Sequence, residues 1–138
     1  MPTIKDQLYL HESLRLYPYL DTVGKWTIGI GRNISDKGIT LTTAYQMLDE
    51  DIAECVADLS TFTWWLGLDE VRQKVLIDMR FNLGAAGLRG FKNTLKAIAD
   101  GRYEEASRRM LQSLWARQVK GRAVRLSNMM ASGIDYKE

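Results

Sequence analysis

Two carboxylates and a hydroxyl lie close together near the start of the chain. Glu12 is followed by Asp21, and Thr27 comes shortly after. Taken singly, they read as a surface acid, a turn residue and a strand residue. Together, two carboxylates in different environments with a hydroxyl between them suit cleavage of a glycosidic bond, because one acid can protonate the leaving oxygen while the other holds a water. Spacing alone leaves both interpretations open.

The elements around these residues predict how they are positioned. Residues 3–13 are predicted to form a helix that begins at Thr3, with Leu8 at the centre of its buried face. In KWTIGIG the apolar residues alternate, and DTVGK before it has turn residues, so residues 17–20 and 25–31 are predicted to pair as a hairpin. A hairpin folded back beside the helix end would bring the three side chains to the same cleft.

Helical spacing dominates the rest of the chain. A turn is predicted at 35–38, and Ile39 is expected to add a short third strand. A helix from Thr40 to about residue 59 would be long enough to join two lobes, at 1.5 Å rise per residue. The later helices are predicted over about 69–83, 91–99, 103–116 and 121–131, with the glycine-rich GAAGLRGF as a connection after the first of them. The predicted fold class is therefore mainly helical, α+β, with a small β lobe near the N-terminus.

Composition restricts the class of protein. The chain has 138 residues, of which 46% are hydrophobic, so it can bury a core of one domain. Its single cysteine, Cys55, excludes an internal disulfide and is predicted to be buried as a small apolar residue. Trp64 and Trp65 are predicted to lie in the core or at a lobe junction, since aromatic side chains bury large areas.

Charge is unevenly distributed. The net charge is only +2, yet between Arg89 and Arg125 basic residues far outnumber acidic ones. This excess predicts an anionic partner, with a solvated helical face as the alternative.

Several classes of protein are disfavoured. His11 is the only histidine, which argues against a Ser-His-Asp triad or a histidine-rich metal site. GAAGLRG lacks the Gly-Lys-Ser/Thr ending of a phosphate loop. No apolar run approaches the roughly 18 residues of a membrane span, and MPTIKDQLYLHESL has no long apolar core, so neither membrane insertion nor a signal peptide is expected.

The string HESLRLYPYLDTVGKWTIGIGR, residues 11–32, resembles the catalytic segment of the phage T4-type lysozymes, a family of glycoside hydrolases that includes endolysins. That family has an acid, a small residue and Leu-Arg-Leu, then Asp-Thr, a glycine and an aromatic-Thr-Ile-Gly-Ile-Gly run. DKGITLTTAYQMLDEDI, FNLGAAGLRGFKNTL and SLWARQVKGRAVRLSNMMASG are similar to later family segments, so the resemblance covers nearly the whole chain. It implies one lysozyme-like domain over residues 1–138: a β lobe over about 15–40, an inter-lobe helix over about 41–59, and a helical lobe over about 60–138 together with the N-terminal helix.

The resemblance also implies roles for individual residues. Glu12 would be the general acid, and Asp21 would hold the attacking water with Thr27. Arg122 resembles the arginine that pairs with the family's catalytic Glu. Such an arginine favours the ionised carboxylate, whereas burial and the helix end favour the protonated form that a general acid needs, and the sequence leaves this conflict open.

The resemblance implies substrate contacts as well, and the chain departs from the family at some of them. The residues at the implied substrate-binding positions are Asn33, Phe81, Asn82 and Thr94. Asn82 stands where phage T4 lysozyme has Gln, so its side chain has a shorter reach. Arg32 replaces a His, and Asn33 is of a different type from its counterpart.

The function implied is a muramidase that hydrolyses the β-1,4 bond between N-acetylmuramic acid and N-acetylglucosamine in peptidoglycan with inversion. The carboxyl groups of Glu12 and Asp21 are then expected to lie about 6.5–9.5 Å apart. The alternatives are a lytic transglycosylase, which needs no water at Asp21, and an inactive module that binds cell wall or DNA.

The resemblance implies a biological setting too. Peptidoglycan glycan strands are the expected partner, with no cofactor, metal or nucleic acid, and the chain is expected to be a monomer. A phage or prophage endolysin would be made in the bacterial cytoplasm and reach the wall through holin pores.

Overall fold

The computed structural model describes residues 1–137, which form eight helices and a three-stranded antiparallel sheet. The strands are β1 Arg15–Leu20, β2 Trp26–Gly29 and β3 Arg32–Asn33. The helices are α1 Ile4–Glu12, α2 Ile34–Lys37, α3 Leu41–Leu59, α4 Glu70–Arg89, α5 Lys92–Ala99, α6 Tyr103–Leu111, α7 Leu114–Val119 and α8 Gly121–Ser132. The predicted mainly helical α+β fold with a small N-terminal sheet is confirmed.

The chain divides into two compact units between Met47 and Leu48, called here the first unit and the second unit. The helix α3 runs through this boundary, as the sequence predicts from Thr40, whose hydroxyl accepts a hydrogen bond from the Thr43 amide at 3.1 Å. The finer assignment of residues to two lobes stays a prediction.

In the first unit, α1 begins where the sequence predicts. The Thr3 hydroxyl accepts from the Asp6 amide at 3.1 Å, and the Asp6 carboxylate accepts from the Thr3 amide at 2.7 Å, which forms a capping box. The buried face predicted around Leu8 is wrong, because α1 has no buried residue and Leu8 is 46% exposed. Apolar spacing shows which residues share a face, but it does not show that another element covers that face.

The sheet forms from the predicted hairpin and one further strand. β1 pairs with β2 across the DTVG turn, with Tyr19 opposite Thr27, and β2 pairs with β3, with Thr27 opposite Asn33. The third strand predicted at Ile39 is wrong, as is the simple turn predicted at 35–38. Asn33 instead caps the short helix α2, because its side-chain oxygen accepts a hydrogen bond from the Asp36 backbone amide at 3.0 Å.

In the second unit, an apolar core joins α4 to the C-terminal helices. α6 packs mainly against α8 and α5, and α8 also contacts α4. The fully buried side chains of this core include Leu59, Val75, Leu76, Met79, Leu88, Met110 and Met130. The predicted burial of Cys55 is confirmed at 2% exposure, and Trp65 is a core residue at 4% with Trp64 packed against the core.

Arg72 ties the start of α4 to the end of α8. Its guanidinium donates to the carbonyl oxygens of Met130 at 2.7 Å and Ala131 at 3.0 Å, so it satisfies helix-end carbonyls that α8 leaves unpaired. It also lies over the ring of Tyr103 at 3.7 Å and pairs with Asp69, the predicted first residue of the helix and its observed N-cap.

Two predicted features of the second unit, the connection after residue 83 and the single helix over 103–116, are wrong. The helix predicted to end near residue 83 does break at Gly84, which has φ 77°, but it resumes and continues to Arg89, so most of the predicted glycine-rich connection is helical. The single helix predicted over 103–116 is split at Ser113, whose hydroxyl donates to the Met110 carbonyl and accepts from the Ala116 amide. Local serine bonds of this kind compete with helix continuation.

Within residues 1–137, no helix combines the length and the apolar character needed to cross a membrane.

Candidate active site

Asp21 opens the turn of the hairpin. Its Oδ1 accepts the backbone amides of Val23 at 2.9 Å and Lys25 at 2.8 Å, and its own amide donates to the Lys25 carbonyl at 2.9 Å. Both side-chain bonds are made to Oδ1, so Oδ2 is the oxygen that these amides leave for another donor. The turn therefore fixes the carboxylate while keeping one of its acceptor atoms available.

Thr27 lies in the middle of the sheet and is buried, with 4% of its surface exposed. Its hydroxyl donates to the Lys25 carbonyl at 3.1 Å. Because the hydroxyl hydrogen is used in this bond, the lone pairs of Oγ1 remain as acceptors. The same Lys25 carbonyl accepts the Asp21 amide, so one peptide group holds both Asp21 and Thr27.

Glu12 is the last residue of α1 and is exposed. The chain turns sharply after it, since Ser13 has φ 65° and ψ 163° and donates its amide to the Tyr9 carbonyl at 2.9 Å. The carboxyl group of Glu12 lies against Gly31, in the connection between β2 and β3: a Cβ built on Gly31 would be 2.5 Å from Glu12 Oε2. The first unit thus contains all three residues of the predicted catalytic set.

An ion pair borders this region. Lys25 Nζ lies 3.0 Å from Asp36 Oδ1, and this hydrogen bond, together with one from the Asn33 amide, lowers the pKa of Asp36 below its usual range. The backbone of Lys25 therefore forms hydrogen bonds with Asp21 and Thr27, while its ammonium group pairs with Asp36.

Asn33 was predicted to contact substrate. In the structure its side chain is engaged within the first unit, with Oδ1 accepting the Asp36 amide and Nδ2 donating to Asp36 Oδ2, each at 3.0 Å. The helix cap accounts for both polar atoms of Asn33, and the sugar contact stays a prediction.

Arg122 was predicted to pair with Glu12. In the structure its guanidinium binds Asp78 within the second unit, with Nε 2.8 Å and one terminal nitrogen 2.6 Å from Asp78 Oδ1. Sequence reasoning did not single out Asp78, which lies two turns of helix into α4 and far from Arg122 along the chain. The pairing of Arg122 with Glu12 stays a prediction.

Phe81 lines a cavity of about 390 Å³ in the second unit. Phe81 is 46% exposed, and the surface that lines the cavity is mostly apolar although three of the other six residues are charged. These six are Leu48, Ile52, Lys74, Ile77, Asp78 and Arg122. An exposed aromatic ring on an apolar wall is a surface suited to a sugar face.

Asn82 and Thr94 lie in different local environments of the second unit. Asn82 Oδ1 accepts the indole hydrogen bond of Trp115 at 2.7 Å, so its short side chain orients a ring that is otherwise buried. Thr94 is buried at 4% exposure and lines a second cavity of about 390 Å³, whose polar lining includes Lys92 and Arg109. The predicted substrate roles of both residues stay predictions.

Within residues 1–137, no group of three or more His, Cys, Asp and Glu side chains is arranged to hold a metal ion.

The fold defines a class of protein: a lysozyme-like α+β protein with a small antiparallel sheet and a helical unit. Comparison with known proteins agrees with this class. The family model described as phage lysozyme matches residues 10–129. This match covers most of the chain, and the protein belongs to the phage lysozyme family.

Individual relatives show the same similarity. The chain is 28% identical to the pre-baseplate central spike protein Gp5 of Enterobacteria phage T4 over 95% of its own length, but it spans only 28% of that protein. It is 26% identical to the probable T4-type lysozyme 1 of Dictyostelium discoideum, over 95% of both chains, and 27% identical to the probable T4-type lysozyme 2, over 98% of both. The family assignment supports a glycoside hydrolase of the lysozyme class.

Proposed function

We propose that the protein is a peptidoglycan muramidase in which Glu12 is the general acid and Asp21, together with Thr27, holds the attacking water. The observation that carries this proposal is the shared anchoring of Asp21 and Thr27 on the Lys25 backbone. It leaves Asp21 Oδ2 and the lone pairs of Thr27 Oγ1 as acceptors, and a water that donates to both has its oxygen lone pair free for attack.

The proposed reaction is a single displacement. Glu12 gives its proton to the glycosidic oxygen as the bond from that oxygen to the anomeric carbon breaks. The held water attacks the same carbon from the opposite face and transfers a proton to Asp21. The sugar is released with the opposite anomeric configuration, and both carboxyl groups return to their starting forms through solvent.

Residues of the second unit are proposed to contact the glycan. Phe81 offers an exposed ring on an apolar cavity, and Thr94 offers a hydroxyl on a polar one. Asn82 is proposed to affect glycan binding indirectly, because it accepts the indole hydrogen bond of Trp115 and so orients that ring. Asn33 is proposed to contact sugar only if it releases Asp36. Arg122 is proposed to support Glu12 while it shares its guanidinium with Asp78.

The biological role proposed is that of a phage or prophage endolysin, made in the bacterial cytoplasm and released to the wall through holin pores. The phage lysozyme family description and a phage relative support this role. Expression in bacteria with and without a holin tests it: lysis should require the holin, and lysis without a holin would contradict this route.

The experiment that tests the catalytic proposal is turbidity loss of purified peptidoglycan with wild type and Glu12→Gln. The matched control is Glu50→Gln, which makes the same change at an exposed position on α3. Glu12→Gln should lose about 100-fold or more in rate, the contribution of a general acid, while the control keeps the wild-type rate. An active Glu12→Gln enzyme would refute the assignment.

Product masses separate the remaining functions. Hydrolysis adds a water to each cleaved strand, whereas a lytic transglycosylase leaves anhydromuramoyl ends that are lighter by one water. Anhydro ends would replace the muramidase proposal with the transglycosylase. Wild-type protein that sediments with the wall without reducing turbidity would instead indicate an inactive binding module.

A further inference from the structure

Gly31 makes an unusually close approach to Glu12. It lies in the short connection between β2 and β3 and has φ +68°, in the region that favours glycine. A Cβ built on it would be 2.5 Å from Glu12 Oε2, 2.7 Å from Cδ and 2.9 Å from Cγ. Non-bonded carbon atoms do not approach so closely, so no residue with a side chain fits at position 31 while the Glu12 carboxyl group stays in place.

The other glycines of the first unit that have positive φ differ from Gly31. Around Gly24, Gly29 and Gly38, a Cβ would meet nothing within 4 Å. At these positions only the backbone conformation favours glycine. At Gly31 the conformation favours glycine, and the Glu12 carboxyl group also occupies the space that a Cβ would need.

The backbone holds both partners of this contact. Ile28 pairs with Arg32 and Thr27 pairs with Asn33, so the connection that contains Gly31 is closed by the sheet. On the other side, the Ser13 amide binds the Tyr9 carbonyl and fixes where the chain leaves α1 immediately after Glu12. The carboxyl group therefore lies between a helix end and a strand connection whose backbones are both fixed.

We propose that Gly31 is a positioning residue for Glu12: its backbone is the platform that sets the Glu12 carboxyl group relative to β2, the strand that carries Thr27. This inference rests on the proposed function, in which Glu12 delivers the proton. Proton delivery depends strongly on geometry, and a misplacement of about 1 Å can cost about 100-fold in rate. A methyl group at position 31 would impose a displacement of this order.

The test compares Gly31→Ala with Gly38→Ala. Both substitutions place a Cβ at a positive φ in the first unit, but only the first meets Glu12. We expect Gly31→Ala to lower kcat on peptidoglycan by about 100-fold with little change in KM, and Gly38→Ala, which lies outside the Asp21 turn, to keep the wild-type kcat. Equal kcat values for the two variants would overturn the inference.

A second measurement reads the contact without activity. Both alanine variants are made in the wild-type and Glu12→Ala backgrounds, and their free energies of unfolding are measured. Gly31→Ala should destabilise more than Gly38→Ala in the wild-type background, and the excess should vanish when the Glu12 side chain is absent. An excess that persists in the Glu12→Ala background, or a Gly31→Ala protein that fails to fold in both backgrounds, would overturn the inference.

The two proposals fail separately. An active Glu12→Gln enzyme defeats the catalytic assignment whatever Gly31→Ala does. An inactive Glu12→Gln enzyme combined with equal kcat values for the two alanine variants defeats only the role of Gly31.

Discussion

The two units of the chain distribute chemistry and stability differently. The first unit contains Glu12, Asp21 and Thr27, and hydrogen bonds to nearby backbone position Asp21 and Thr27. Every buried hydrophobic residue of the described chain lies in the second unit, from Cys55 to Met130. Local turn geometry is thus enough to position Asp21 and Thr27, while the apolar core of the second unit supplies most of the hydrophobic stabilisation.

The largest expected effect comes from Asp21→Asn. The Asn oxygen can still accept the Val23 and Lys25 amides, but the charge and the acceptor at Oδ2 are lost. We expect kcat to fall by about 100-fold or more with an unchanged melting temperature. Asp21→Ala should lower both, because it also removes the turn bonds. A kcat for Asp21→Asn close to the wild-type value would show that the turn, and not the carboxylate, is what Asp21 contributes.

The reverse pattern is expected in the second unit for Leu76→Ala. Leu76 is fully buried, so its truncation should lower the free energy of unfolding by about 2–5 kcal/mol, measured by urea denaturation. The turnover rate well below the melting temperature should be retained. Leu16→Ala, at a residue 74% exposed in β1, should change stability by less than about 0.5 kcal/mol. Equal losses at the two positions would break the contrast between the units.

Asp58 gives the second unit a pH dependence. It accepts hydrogen bonds from Arg89 and from Arg80, at 2.8 and 2.6 Å, and these lower its pKa. A lowered folded-state pKa stabilises the fold above the ordinary value of 3.8, and this stabilisation is lost as pH falls through the lowered pKa. Asp58→Asn should therefore cost about 2 kcal/mol at neutral pH and progressively less below pH 3.8.

The control for this pH dependence is Asp51→Asn, at an exposed position of the same helix. Urea denaturation at a series of pH values measures both variants against wild type. If the difference in free energy of unfolding between Asp58→Asn and wild type stayed constant from neutral to acid pH, the assigned ion pairs would be contradicted.

The smallest effect is expected from Ser13→Gly in the first unit. Ser13 holds φ 65° and ψ 163°, a conformation that costs a residue with a side chain about 1–3 kcal/mol and costs glycine little. Part of the gain is offset by the greater freedom of glycine in the unfolded chain. We expect the free energy of unfolding to rise by roughly 1 kcal/mol at unchanged kcat. A loss of stability would show that the serine side chain makes a contribution greater than the strain.

The sequence predicted the elements that depend on neighbouring residues. Alternation in KWTIGIG and turn residues in DTVGK were enough to predict the hairpin, and Thr3, Thr40 and Asp69 marked helix starts that the structure contains. These features depend on local hydrogen bonds and periodicities, so they can be predicted without knowledge of tertiary contacts.

Features set by contacts or by competing local bonds were not predictable in the same way. The partner of Arg122 is Asp78, 44 residues away, and no spacing rule connects them. The close approach of Gly31 to Glu12 requires knowing how the helix end meets the strand connection. The helix breaks at Ser113 because its hydroxyl forms hydrogen bonds with the Met110 carbonyl and the Ala116 amide. The spacing of apolar residues does not predict such bonds.

The central claim is that a water held by Asp21 and Thr27 attacks the anomeric carbon opposite Glu12. The most direct measurement is the anomeric configuration of the first-formed reducing end, followed by proton NMR before mutarotation is complete. Cleavage of the β-linked strand should give the α anomer first, as expected for one displacement by water. A β product formed first would mean retention through a second displacement, and it would contradict the account.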